Sequence, residues 1–93
     1  MKASSARVPT KSGAKYLAQL CKHWAHKFSV ELSDGRGVVR FPSASAQMLA
    51  DNDALTVIVE AEDAETLDRM KDVVARHLDR FAFREAPLPF SWS

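Results

Sequence analysis

Short stretches of alternating apolar and polar side chains dominate the middle of the chain and constrain its fold most strongly. Four such stretches follow one another, at Phe28–Leu32, Val38–Phe41, Gln47–Ala50 and Ala54–Ala61. Alternation of this kind is the pattern of a β-strand with one buried face. Glycines and aspartates occupy the intervals, as in Ser33–Gly37, where glycine supplies the positive φ that a hairpin needs. Because each interval is short, the four strands are predicted to form an antiparallel meander.

Two amphipathic helices are predicted on either side of these strands. The first covers Lys11–Ala25, and Thr10 is its expected N-cap. Its apolar stripe consists of Leu17, Leu20, Cys21 and Trp24, spaced to lie on one helical face. The second begins at an Asp63 N-cap and runs to about Ala82. Its apolar stripe consists of Leu67, Met70, Val74, Leu78 and Phe81.

The two ends of the chain are each predicted to add a strand. Ser5–Thr10 alternates at the start, and Leu88, Phe90 and Trp92 alternate at the end. The predicted order is therefore β-α-β-β-β-β-α-β. This is an α+β fold, an antiparallel sheet of about five strands with both helices packed on one face. The other face stays open, and an exposed apolar face usually meets a partner or a ligand. The apolar residues expected there are Ile58, Val38 and Leu49.

Length and composition favour one ordinary globular domain. The chain has 93 residues, and we expect a single domain over 1–93 with an ordered core over about 5–92. No apolar run approaches the roughly 20 residues that cross a bilayer, and the N-terminus lacks the pattern of a secretory signal. A single cysteine fits a reducing compartment. We therefore expect a cytoplasmic protein with no membrane segment.

The first helix ends in the most unusual chemistry of the sequence, Cys21-x-His23-x2-His26. His23 and His26 are three residues apart and can face one site. His77 would join them if the two helices pack side by side, which makes His23, His26 and His77 the candidate metal ligands. The simpler alternative is that these histidines have structural or surface roles. Cys21 lies on the apolar stripe, where a free cysteine usually behaves as a small hydrophobic residue.

Several function classes find no support in the sequence. The chain has no glycine-rich phosphate loop, and Ser43-Ala44-Ser45 lacks the glycines of a nucleophile elbow. A Cys21–His77 nucleophile pair is disfavoured because Cys21 lies late in a helix, away from the end that stabilises a thiolate. The lysine face of the first helix has no exposed stacking aromatics beside it, so nucleic-acid binding is not expected.

Two motifs resemble the small bacterial proteins called domain of unknown function 2218. They are Tyr16-Leu17-x2-Leu20-Cys21-x-His23-Trp24-x-His26-Lys27-Phe28 and His77-Leu78-x2-Phe81-Ala82-Phe83-Arg84-Glu85. The resemblance covers the chain from about Ala6 to Trp92. It brings no set of catalytic residues. It implies an iron-uptake context, since relatives are encoded near siderophore-interacting flavoproteins or are fused to them.

Together with the context that the resemblance implies, these observations predict a non-enzymatic accessory protein of iron or siderophore metabolism. It would bind a metal, a metal chelate or a partner near the end of the first helix. The cofactor would be an iron or other transition-metal ion, or a chelate, and the partner a second copy or a siderophore-interacting flavoprotein. The alternative is an interaction module or homodimer that uses the open sheet face without a small ligand. An enzyme with His23 or His77 as acid–base is the third option. The candidate ligand-binding residues are His23, His26, Lys27, His77 and Arg84.

Overall fold

A computed structural model describes residues 2–93 and confirms the α+β class, with one five-stranded antiparallel sheet and two helices. The elements are β1 (Lys2–Pro9), α1 (Gly13–Trp24), β2 (Ser29–Ser33), β3 (Arg36–Phe41), β4 (Ala44–Ala50), β5 (Ala54–Ala61) and α2 (Ala64–Phe81). The strands lie in the order β1-β5-β4-β3-β2, so β2 to β5 form the predicted meander. β1 closes the other side of the sheet by pairing with β5.

Two strands are longer than the alternation pattern indicated. β1 begins at Lys2 because it pairs with the whole of β5, from Lys2 opposite Ala61 to Pro9 opposite Ala54. β4 begins at Ala44, three residues before the predicted strand Gln47–Ala50. Its small residues have little strand propensity of their own. These residues adopt the strand conformation because β4 lies between β3 and β5 and pairs with both.

The predicted last strand is wrong. Residues 86–93 form no strand, and only Ser93 pairs with the sheet, donating to and accepting from the backbone of Ser5. The segment is held by packing instead. Leu88 is buried and donates its backbone N–H to the Asp79 carboxylate at 2.9 Å. The Phe90 and Trp92 rings stack with centroids 5.5 Å apart, so each ring covers part of the apolar surface of the other.

Both helices pack on one face of the sheet, and the core lies between the helices and the sheet. The buried strand residues alternate along β1, β3, β4 and β5 and belong to one cluster with the apolar stripes of the helices. The predicted N-cap of α2 is confirmed, since Asp63 accepts from the Thr66 backbone N–H at 2.7 Å. The expected Thr10 N-cap is wrong: α1 begins after Ser12, and Thr10 accepts from the Ser12 N–H.

Leu32, on the edge strand β2, is more exposed than its place in the alternation predicts. The alternation of Phe28–Leu32 places Leu32 on the predicted buried face with Phe28 and Val30, yet 42% of its surface is exposed. β2 is the outermost strand, so no further strand within residues 2–93 packs beside Leu32, although its side chain lies on the face towards α1. An edge strand has a neighbour on one side only, so alternation alone does not guarantee burial there.

Gly37 sets how closely α1 approaches the sheet. A Cβ atom at this position would lie 2.5 Å from Cys21 Sγ and 3.5 Å from Leu17 Cδ1. The hairpin turn itself depends on Gly35, which alone among residues 2–93 has a positive φ, at 71°. Gly37, which the sequence assigned to the turn, is therefore required by helix–sheet packing.

We predict that Gly37→Ala lowers the free energy of unfolding by about 1–3 kcal/mol, because the new methyl group overlaps the Cys21 sulfur. In the Cys21→Ala background, the same substitution should cost much less, since the sulfur is gone. Denaturant unfolding of the two single variants and the double variant measures this coupling. Additive effects would show that Gly37 and Cys21 are not in contact.

Candidate functional site

The end of α1 and the turn that follows it bring His23, His26 and Lys27 close together. The Trp24 carbonyl accepts from the backbone N–H groups of both Lys27 and Phe28, at 3.0 and 2.9 Å. Those two bonds end the helix and fold residues 25–27 into a turn. His26 and Lys27 therefore lie in a turn beside His23, rather than further along a continuous helix.

Three aromatic side chains form a wall next to this turn, which we call the aromatic wall: Trp24, Phe28 and Phe41. The Trp24 and Phe41 rings meet edge to face with centroids 5.0 Å apart, and Phe28 and Phe41 do so at 4.7 Å. Edge-to-face pairs of this kind add stabilisation beyond area burial. The wall joins the end of α1 to β3.

Helix α2 supplies the opposite side through His77. The His77 ring lies 5.0 Å from the Trp24 ring and 5.7 Å from the His23 ring, measured between centroids. Its Nδ1 lies 2.7 Å from the Val73 carbonyl oxygen. Because a carbonyl can only accept, Nδ1 must carry the proton. In neutral His77 the other nitrogen, Nε2, is then an unprotonated base with a free lone pair.

A cavity of about 500 Å³ lies between these parts, which we call the histidine cavity. All three histidines of the chain line it. Its volume is within the range of small-molecule sites. His23, His26 and Lys27 are exposed at its rim, whereas Trp24 is buried. Its full lining is His23, Trp24, His26, Lys27, Phe28, Phe41, Met70, Val73 and His77.

The metal hypothesis gains only part of what it needs. Among residues 2–93, no three His, Cys, Asp or Glu side chains are placed to hold a metal ion together. His23 and His77 are close, and His26 lines the same cavity without completing such a group. A metal ion here would need further ligands from a chelating molecule.

Cys21 lies outside the cavity. Its side chain is fully buried in the core, and this burial raises the pKa of the thiol. A thiol with a raised pKa stays protonated and is a poor nucleophile or metal ligand. Cys21 therefore acts as a packing residue, as its position on the apolar stripe indicated.

Arg84 is the one ligand candidate that the structure places elsewhere. It lines a separate cavity of about 180 Å³ together with Lys15, Tyr16, Phe81 and Phe83, which we call the Arg84 cavity. Next to it, the Glu85 carboxylate accepts from Tyr16 Oη and from Thr10 Oγ1. The hydrogen bond to Glu85 raises the pKa of the Tyr16 hydroxyl. Tyr16 and Glu85 thereby tie the start of α1 to the end of α2.

Sequence reasoning did not identify Phe28, Phe41, Met70 and Val73 as cavity residues. Phe28 and Met70 were assigned to the core from their periodicity, and they are partly buried as such residues often are. Only the crossing of α1, α2 and the β2–β3 hairpin reveals that they share a cavity. No local pattern signals this.

The fold and the histidine cavity define a small α+β protein with one helical layer and a ligand-sized site at the end of its first helix. The chain belongs to the family described as "Uncharacterized protein conserved in bacteria", domain of unknown function 2218, which matches residues 5–93. This confirms the family resemblance of the two motifs.

A solved structure agrees with the fold. The NMR structure of PA4090 from Pseudomonas aeruginosa is 40% identical in sequence, with a TM-score of 0.86. The match covers 100% of this chain and 96% of that chain. No curated protein matches the chain. In the described part, residues 2–93, no helix is long and apolar enough to span a membrane.

We predict that neutral His77 exists as the Nδ1–H tautomer, because the Val73 carbonyl accepts from that nitrogen. Long-range ¹H–¹⁵N correlation spectra of the side chain at pH 8 distinguish the two tautomers. His26, which lies in the turn and forms no side-chain hydrogen bond within residues 2–93, is the internal comparison and should show the Nε2–H form that free imidazole side chains favour. An Nε2–H form for His77 would contradict the geometry.

Proposed function

We propose that this chain is a non-enzymatic binding protein whose ligand occupies the histidine cavity. The ligand class is a planar aromatic anion, either free or as a chelate of iron or another transition metal. We further propose a role in iron or siderophore metabolism, on the context that the family resemblance implies. The observation that carries the proposal is the meeting of the three histidines and the aromatic wall around one cavity.

The lining explains why an aromatic anion fits. Phe28 and Phe41, both partly exposed, offer apolar ring surface against which a planar ligand can pack edge to face or offset, and the buried Trp24 ring lies behind them. Lys27 at the rim supplies a positive charge, and His26 can add one when protonated. Neither side chain forms an ion pair within residues 2–93. A carboxylate or phenolate would therefore meet cations that no protein carboxylate already neutralises.

The metal chelate follows from the two histidines that face each other. His77 is held by Val73 with Nε2 unprotonated, which is how the second shell usually prepares a histidine ligand. His23 can supply a second nitrogen. A bidentate chelator would then complete the coordination, which accounts for the missing third protein ligand. The iron-uptake context implied by the family resemblance agrees with such a ligand, and the buried Cys21 thiol suits the reducing cytoplasm.

Fluorescence titration tests the proposal, with Trp92→Phe leaving Trp24 as the sole reporter. The probes are 2,3-dihydroxybenzoate, its ferric complex, and Zn²⁺ alone. We expect saturable quenching by the first two, with the ferric complex bound more tightly than the free acid. His77→Phe should preserve the packing but weaken the ferric complex by roughly tenfold or more, since one metal ligand is lost.

Lys27→Gln and Lys22→Gln form a matched pair for the charge. Lys22 is exposed on α1 and does not line the cavity. Only Lys27→Gln should weaken the binding of the free acid, and higher salt should reduce the effect of this substitution. No quenching by either organic probe, or equal effects of both lysine variants, would contradict the proposal.

The open sheet face supports a second candidate function, in which the chain pairs with a second copy or with a siderophore-interacting flavoprotein. Val38 and Ile58 are only half buried there, and 38% of Leu49 is exposed. Arg36 and Arg40 lie on the same face of β3. An apolar centre with a charged rim resembles the anatomy of protein interfaces.

We predict that a self-associating chain would have the mass of a dimer in solution, and that Leu49→Asp would reduce it to a monomer. Leu32→Asp is the matched control, because Leu32 is equally exposed but lies on the helix-covered face at the β2 edge. Sedimentation equilibrium gives both masses. A monomer for the unsubstituted chain at all concentrations would exclude the homodimer.

A further inference from the structure

The histidine cavity and the Arg84 cavity lie along the same seam between the two helices. Near the start of α1, Tyr16 hydrogen-bonds to Glu85, four residues after the end of α2. Near the end of α1, His23 meets His77 in the C-terminal half of α2. The helices therefore run antiparallel, with one cavity towards each end of α1. Between the cavities, the His23 and Phe81 rings touch edge to face with centroids 5.9 Å apart.

The Arg84 cavity has the composition of a site for an anionic group. Lys15 and Arg84 are both exposed cations, and neither forms an ion pair within residues 2–93. Glu85 is the nearby carboxylate, and its oxygens already accept hydrogen bonds from Tyr16 and Thr10. The Arg84 guanidinium lies 5.7 Å from the Phe83 ring, which keeps it beside an apolar surface.

Phe83 is the most exposed large apolar side chain recorded in the structure, with 70% of its surface open. Together with Phe81 it gives the cavity an apolar side next to the two cations. A volume of about 180 Å³ is too small for a complete ligand of ordinary size but suits a head group. The two features fit a carboxylate attached to an apolar chain.

We propose that the seam is one elongated binding groove, and that the Arg84 cavity holds a carboxylate of the same ligand whose aromatic part lies in the histidine cavity. This inference rests on the proposed function and adds a length and a second charge to the ligand. Lys15 and His23 are eight residues apart on α1, so the ligand spans roughly 12 Å at 1.5 Å per residue. The His23–Phe81 contact is the narrow point that the connecting chain crosses.

The test compares the ferric complexes of two synthetic probes, N-(2,3-dihydroxybenzoyl)-6-aminohexanoate and its methyl ester, on the full chain. Iron binding keeps the catechol oxygens deprotonated, so the aromatic end is anionic in both probes. They share the aromatic part and the linker and differ only in the charge at the far end. The acid should bind roughly tenfold more tightly than the ester, the size expected of one charge-assisted contact. This ratio should fall to about one in Lys15→Gln with Arg84→Gln, and should stay unchanged in Lys22→Gln.

The ratio separates this inference from the proposed function. If acid and ester bind equally, and Lys27→Gln weakens the binding of both, the ligand occupies the histidine cavity and the proposal of an elongated groove is wrong. If neither probe binds the unsubstituted chain, the proposed function and the groove are both contradicted. A ratio of ten that persists in the Lys15 and Arg84 double variant would place the carboxylate elsewhere and overturn the groove.

Discussion

The packing of Trp24 at the end of α1 is the interaction on which both the core and the site depend. Its carbonyl ends the helix through Lys27 and Phe28, and its buried ring meets Phe41 from β3 and His77 from α2. One residue thus joins both helices to the sheet. The turn it imposes places His26 and Lys27 at the rim of the histidine cavity. The contacts that stabilise the core therefore also shape the cavity, which has a largely buried aromatic side and an exposed side with His26 and Lys27.

That arrangement requires α1 to lie close to the sheet, and Gly37 permits it. With no side chain at Gly37, the Cys21 sulfur occupies the space next to β3. The same helix is tied to the end of α2 by Tyr16 and Glu85. The seam between the helices is thus held at both ends, and the two cavities that flank it have fixed positions. A preformed cavity would lose little conformational entropy on binding the proposed ligand.

Much of the fold could be predicted because the periodicities of strands and helices are local. The four central strands, the helical stripes and the Asp63 cap were visible in single stretches of sequence. The failures share one cause. β4 gains its first residues from two neighbours, Leu32 is exposed because β2 is an edge, and residues 86–93 are fixed by Asp79 and Ser5. Each outcome depends on a partner distant in sequence.

The same distinction applies to the site. The histidines were identifiable from their chemistry, but their meeting depends on how α1 and α2 pack. Arg84 was grouped with them on the family motif, whereas the helix geometry assigns it to the other end of the seam. The aromatic wall was missed because Trp24, Phe28 and Phe41 look like ordinary core residues. A cavity is defined by what surrounds it, and no periodicity encodes that.

Side-chain NMR spectra during titration with 2,3-dihydroxybenzoate test the central claim most directly. The aromatic resonances of His23, His77 and Trp24 should shift together with one affinity, while the methyl resonances of Leu49 and Ile58 on the open sheet face should stay unchanged. Shifts confined to Leu49 and Ile58, with the cavity residues unmoved, would contradict the assignment of the histidine cavity as the ligand site.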